Sequence, residues 1–242
     1  MTSPHPDPSR STPVGIPKGE GAKTIVITGA TGALGRLTAK TFAARGHSLA
    51  LLDFDQAKLD SLAQSLNLPD DRLFTSIVDL RDGEAVHSAA GAVSAKFGGA
   101  HALIHLVGGW LGGNSFAEST MDDMNSMFGQ HVWTTFYLFK AFSPLFAKSG
   151  WGRVITISPS TVSNPLPKRG VYTAAKAAQE NFVLTLAAEL KESNVTANII
   201  QVKAIDVDNK GTGTTPEEIV AAILYLFSDE AGKITGARIP LY

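Results

Sequence analysis

Hydrophobic residues along the chain fall into two patterns: short unbroken runs, and longer stretches in which they recur every three or four positions. Thr24-Ile25-Val26-Ile27-Thr28 is the first unbroken run, and His47 to Asp53, Leu73 to Asp79, His101 to Val107, Arg153 to Ser158 and Val195 to Val202 repeat it. Runs of this length and apolarity predict strands buried on both faces, as in a parallel sheet. A last short strand is predicted near Arg238 to Leu241. The stretches between them have helical spacing and helical punctuation. One runs from the glycines after Thr28 to about Arg45, where Gly46 ends it; others span Asp55 to Leu66 and Asp82 to Phe97, the latter capped by Asp82. A long helix is predicted from about Met121 to Ala147, where Thr120 and Asp123 can cap one another. Another runs from Val171 to about Leu190, and the last is opened by Thr215-Pro216-Glu217 with proline at its first position. Strict alternation of strand and helix predicts an α/β fold, a Rossmann-like doubly wound parallel sheet of about seven strands with helices on both faces.

Residues 1 to 22 stand outside this pattern. They are rich in proline, serine and threonine, lack apolar periodicity, and are expected to be a flexible tail ahead of one large domain at residues 23 to 242. Composition narrows the functional classes. The 242 residues carry 21 basic and 22 acidic side chains, with no long run of either sign, so there is no electrostatic footprint for nucleic acid or an anionic membrane. The chain has no cysteine, which excludes disulfides, thiolate metal sites and cysteine nucleophiles. No apolar run is long enough to span a bilayer and no secretory signal is recognisable, so the expected setting is cytoplasmic and the expected partner a small molecule, with no metal.

Candidate chemistry begins at the first strand-to-helix turn, Gly29-Ala30-Thr31-Gly32-Ala33-Leu34-Gly35. Small residues there let backbone N–H groups approach a pyrophosphate at a helix N-terminus. Asp53 lies at the end of the second strand, 18 residues after Gly35, near the spacing at which a carboxylate meets the adenosine ribose. Asp79, at the end of the third, lies where adenine would rest. A carboxylate at position 53 accepts from two ribose hydroxyls but repels a 2′-phosphate, and Phe54 and Asp55, not a cation, come next. NAD(H) is therefore expected over NADP(H).

The second candidate is Val171-Tyr172-Thr173-Ala174-Ala175-Lys176. Residues four apart share a helix face, so Lys176 is expected beside the Tyr172 phenol, lowering its pKa and making it an acid/base for an alcohol or carbonyl.

Thr28-Gly29-x-x-Gly32-x-x-Gly35, Asp53, Asp79 and Tyr172-x-x-x-Lys176, in this order, resemble the short-chain dehydrogenase/reductases over about Lys23 to Tyr242. The resemblance implies that Tyr172 exchanges the proton with substrate, that Lys176 tunes it and binds the nicotinamide ribose, and that a serine and a helix asparagine assist. Cofactor contacts are then expected at Thr31, Ala33 and Leu34 in the turn, at Phe54 and Leu80 beside the two aspartates, and at Val107, Gly108 and Ile157 on the later strands.

The assisting residues depart from the family pattern. Pro159 occupies the position expected for the serine; Ser160 and Ser158 flank it, and Ser160 is preferred because proline re-aims the residue after it. His131 replaces the helix asparagine and is a candidate relay, while His105 at a strand end reads as structural. Backbone groups of Ala204 and Ile205 are the expected carboxamide partners, and Lys203 adds a cation for cofactor or substrate. Trp110 and Asn114 are expected to line the substrate pocket, which the short loop Asp208 to Gly213 leaves open.

The segment Val107 to Asn114, with Val132-Trp133-Thr134, is also similar to quinoid dihydropteridine reductase, which implies a quinonoid C=N compound as an alternative to a carbonyl or alcohol. Two further readings remain open at this point. One is a dinucleotide-binding regulatory or scaffold protein with little turnover; the other, ranked last, is an extended-branch epimerase or dehydratase. The helices at 121 to 147 and 171 to 190 carry alanine and aromatic stripes, and since members of the resembled family pair these helices across two-fold interfaces, the resemblance implies a homodimer or homotetramer.

Overall fold

The computed structural model describes residues 21–242. The tail expected at residues 1–22 falls, but for its last two residues, outside that range. Seven strands form one parallel sheet: β1 (Thr24–Thr28), β2 (Ser48–Asp53), β3 (Leu73–Ile77), β4 (Ala102–His105), β5 (Gly152–Pro159), β6 (Val195–Val202) and β7 (Arg238–Pro240), in the order β3-β2-β1-β4-β5-β6-β7. The helices are α1 (Ala33–Ala44), α2 (Gln56–Leu66), α3 (Gly83–Phe97), α4 (Met121–Phe128), α5 (Thr134–Ser149), α6 (Gly170–Glu189) and α7 (Pro216–Phe227).

Alternation along each strand divides the core between two faces. Ile25 and Ile27 of β1 pack with Leu49 and Leu51 of β2 against Phe42 of α1 and Ile223 of α7. Val26, one residue out of phase, packs with Ala50 and Leu52 against Val86 of α3, Phe142 of α5 and Val183 of α6. Both faces are covered, which is why the strands read as unbroken apolar runs. Chain order reverses between β1 and β4, and the crevice beyond the carboxyl ends of these two strands is where such sheets hold ligands.

The helix punctuation forms as expected. Asp82 caps α3 through the amides of Glu84 and Ala85, Thr120 and Asp123 make a reciprocal box on α4, and Thr215 does the same with Glu218 on α7. The helix expected as one piece from Met121 to Ala147 is instead interrupted by a π-turn at Gly129–Trp133. A π-turn adds one residue to the helical circuit and so rotates the helix beyond it, and here it falls on His131.

Candidate active site

The glycine turn has the geometry of a phosphate cradle. Gly29 sits at φ 67°, and a Cβ there would lie 3.0 Å from the Val107 amide nitrogen. A Cβ on Gly35 would lie 2.2 Å from the Gly29 carbonyl oxygen, so only glycine fits. Gly32 is the N-cap of α1, has no capping side chain, and no acidic residue follows in the first turn. Gly29, Thr31 and the N-cap Gly32 line a cleft of about 760 Å³, so the positive end of the α1 dipole opens at that cleft. An anion-bearing dinucleotide fits such a cradle.

Along that cleft Asp53 is 5% exposed and accepts at Oδ2 from the Thr31 amide and hydroxyl, at 2.8 and 2.9 Å. Its Oδ1 accepts from the Phe54 amide. The carboxylate is thus aimed by the glycine turn while still lining the cleft. Leu80 and the exposed ring of Phe54 line the same end. Asp79 lies two residues beyond β3, half exposed, with both oxygens held by Arg81. This pairing holds its carboxyl below the usual range. Ala33 and Leu34 lie within α1 and are not among the cleft's lining residues.

Leu106, Val107 and Gly108 also line a second cavity of about 540 Å³, so the two spaces adjoin at the end of β4. Tyr172, Lys176, His105, His131 and Ser158 all face this second space. Lys176 donates to the Ile157 carbonyl at 2.9 Å and to Gln179 Oε1 at 2.8 Å. Gln179 in turn donates to the Thr135 hydroxyl, which donates to the His131 carbonyl. Burial pulls the Lys176 ammonium down to about 8, against the raising influence of Glu180.

Tyr172 departs from expectation. Its phenol is pushed up to about 12, because burial disfavours the phenolate more than any neighbouring charge favours it, and the cation acting in the other direction is Arg169. Lys176 directs two donors toward Ile157 and Gln179 instead. The two side chains face one cavity, as their spacing on the helix implies; the burial that sets the pKa comes from other elements.

His131 is fully buried and donates from Nε2 to the Gly109 carbonyl at 3.0 Å, which leaves Nδ1 bare and without a partner. Its ring meets that of Tyr172 edge-on at 5.5 Å. A Cβ on Gly108 would come within 3.0 Å of this imidazole, so the glycine makes room for it. His105 bonds through Nδ1 to the Thr28 hydroxyl at 2.7 Å, and its buried Nε2 has no partner. Burial, and then the Lys176 charge, pull both histidines down to about 3.

Of the two serines, Ser158 lines the cavity, is 2% exposed, and its Oγ has no partner. Ser160 opens a 3₁₀ turn after β5 and is not among the lining residues. Trp110, Lys203, Ala204 and Ile205 line the mouth, whereas Asn114 lines a small separate cavity with Asp123 and Lys168. Sequence reasoning missed Arg169, which faces the cavity from a loop without periodic signal, and Gln179, whose spacing from Lys176 and Tyr172 places it on their helix face.

A seven-stranded, all-parallel, doubly wound sheet with a cleft at its switch point defines a Rossmann-like α/β class of protein. Within it, the short chain dehydrogenase family model matches residues 23–217, and the chain belongs to that family of oxidoreductases acting on alcohols and carbonyls. It is similar to dehydrogenase/reductase SDR family member 7B of Xenopus laevis, 30% identical over 84% of this chain and 70% of that protein. It is also similar to the 2,3-dihydro-2,3-dihydroxybenzoate dehydrogenase of Bacillus subtilis, 24% identical over 90% of this chain and 94% of the relative. Among solved structures, an NADPH-bound short chain oxidoreductase from Pseudomonas aeruginosa PAO1 containing an atypical catalytic center superposes with a TM-score of 0.83 at 23% identity, covering 90% of this chain and 94% of that one. Among the described residues no helix is long and apolar enough to cross a membrane, and no cluster of ligating side chains could hold a metal.

Proposed function

We propose that this protein is an NAD(H)-dependent oxidoreductase for a small carbonyl or alcohol substrate, with Tyr172 as acid/base. The observation that carries the reading is the convergence of Tyr172, Lys176 and the unpartnered Ser158 hydroxyl on one cavity adjoining the glycine cradle. A bound nicotinamide would supply or accept the hydride. Tyr172, a neutral phenol at pH 7, carries the proton that a reduced carbonyl oxygen needs, and in the reverse direction takes it from the alcohol. Ser158 holds the substrate oxygen by hydrogen bond. Lys176, fixed by Ile157 and Gln179, keeps one N–H for the nicotinamide ribose.

Asp53 supports NAD over NADP. A 2′-phosphate beside it would meet a like charge at a cost of about 4 kcal/mol per charge pair at 4 Å and an effective dielectric of 20. Arg36, Lys58 and Arg81 also border the cleft, but each already has a partner: the Thr31 carbonyl, Asp55 and Asp79 respectively. Exposed Trp133 and Phe136, in ring contact with half-buried Tyr137 and Phe182, form an aromatic face that supports a homodimer or homotetramer, which light scattering would overturn by finding a monomer. Residues 23 to 242 act as one catalytic unit in a cytoplasmic setting.

Tyr172→Phe tests the reading. It lowers kcat roughly 10²- to 10⁴-fold while leaving NADH affinity nearly unchanged; a variant with wild-type turnover would rule the mechanism out.

A further inference from the structure

The cavity around Tyr172 has a charge pattern that proton and hydride transfer do not require. Besides Lys176 it is lined by two more cations, Arg169 and Lys203, and by no carboxylate. Neither Arg169 nor Lys203 forms an ion pair among the described residues. They reach the cavity from different elements. Arg169 precedes the first residue of α6, three positions before Tyr172, and Lys203 follows the last residue of β6. The Arg169 guanidinium lies 5.9 Å from the ring centre of Trp110, an indole that is 57% exposed at the same mouth.

Two unpaired cations in one concave, largely apolar space raise its potential and concentrate anions there. A planar guanidinium matches a carboxylate in geometry as well as sign. The flat, open face of Trp110 suits a ring, and the buried Ser158 Oγ supplies a hydroxyl for the reacting oxygen.

We propose that the substrate is a cyclic ketone or alcohol bearing a carboxylate, with the carboxylate held by Arg169 and Lys203 and the ring against Trp110. This rests on the reading of the Tyr172 cavity as the reaction site. The carboxylate is a handle and leaves the reaction unchanged: the carbonyl carbon takes the hydride, its oxygen takes the Tyr172 proton, and the carboxylate bonds stay intact. The glycine cradle that would take the cofactor's adenosine and pyrophosphate lines the other cleft, which neither Arg169 nor Lys203 borders.

The test uses the full chain with NADH and three ketones: 3-oxocyclohexane-1-carboxylate, its methyl ester, and cyclohexanone. The acid should exceed the ester in kcat/KM by roughly tenfold to a hundredfold. Arg169→Met and Lys203→Met should each bring that ratio toward one. Raising the salt from about 0.05 to about 0.5 M should lower kcat/KM for the acid and not for the ester. A binding arm needs no turnover: cyclohexanecarboxylate should quench the tryptophan fluorescence of the wild type, with the change lost in Trp110→Phe and weakened in Arg169→Met. An active enzyme that reduces ester and acid equally overturns the proposal. So does a pair of methionine variants that weaken NADH binding while keeping the acid preference. Absence of turnover with every ketone overturns the reductase reading instead, and the fluorescence titration then still decides whether the cavity takes a carboxylate.

Discussion

Replacing Lys176 with methionine should change how stability of the ligand-free protein depends on pH. Lys176 is 6% exposed, and its pKa is lowered from 10.5 to about 8 by burial. Between these two values the unfolded chain binds the proton and the native one does not, so stability rises as pH climbs through this window. Each tenfold loss of proton affinity on folding corresponds to about 1.4 kcal/mol, so the wild type should gain roughly 2 kcal/mol between pH 7.5 and pH 10. Above pH 10 the trend reverses, because Tyr172, raised to about 12, keeps a proton in the native state that the unfolded chain has lost. The methionine variant lacks the rise. It also leaves Gln179 Oε1 and the Ile157 carbonyl without their donor, a cost that is the same at every pH and drops out of the slope. Urea unfolding of both proteins at half-unit steps from pH 7.5 to 10 measures the difference. Parallel curves would show that the native ammonium keeps its ordinary pKa, and the account of Lys176 as a desolvated cation would fail.

The two serines separate cleanly: Ser158→Ala should lower kcat about 10-fold or more through loss of a hydrogen bond to the substrate oxygen, whereas Ser160→Ala should stay within about twofold, and the reverse order would return the role to Ser160. His105 and His131, held near 3, stay neutral at physiological pH; since unfolding lets them protonate, stability should fall as pH drops from 6.5 toward 3, and nitrogen NMR showing a charged imidazole at either position at pH 5.5 would contradict the burial argument. Asp53→Asn should narrow the ratio of kcat/KM for NADH over NADPH; an unchanged ratio would move the selectivity elsewhere.

The fold was legible because its signals are local. Unbroken apolar runs marked the strands to within one or two residues, and Asp82, Thr120, Thr215 and Pro216 marked the helix starts. The glycine cradle was legible for the same reason. The site beyond it was not, because its properties arise between distant segments. Nothing in Gly129 to Trp133 announces a π-turn rather than a regular helix. The choice of Ser158 over Ser160 depends on β5 reaching Pro159, opposite Val202 of β6, before the chain turns away. The raised pKa of Tyr172 depends on walls assembled from the ends of several strands.

The hydrogen-bonded path from Lys176 through Gln179 and Thr135 ends on the main-chain carbonyl of His131, not on its imidazole. Every amino acid brings that carbonyl. The mount of the lysine therefore depends on the backbone turn at position 131 and not on which side chain that position carries. This separates two demands on one residue: the peptide group is held by Thr135, while the side chain answers to the Gly109 carbonyl and the Tyr172 ring. A lineage that exchanged an amide side chain for an imidazole here would have kept its lysine in place throughout.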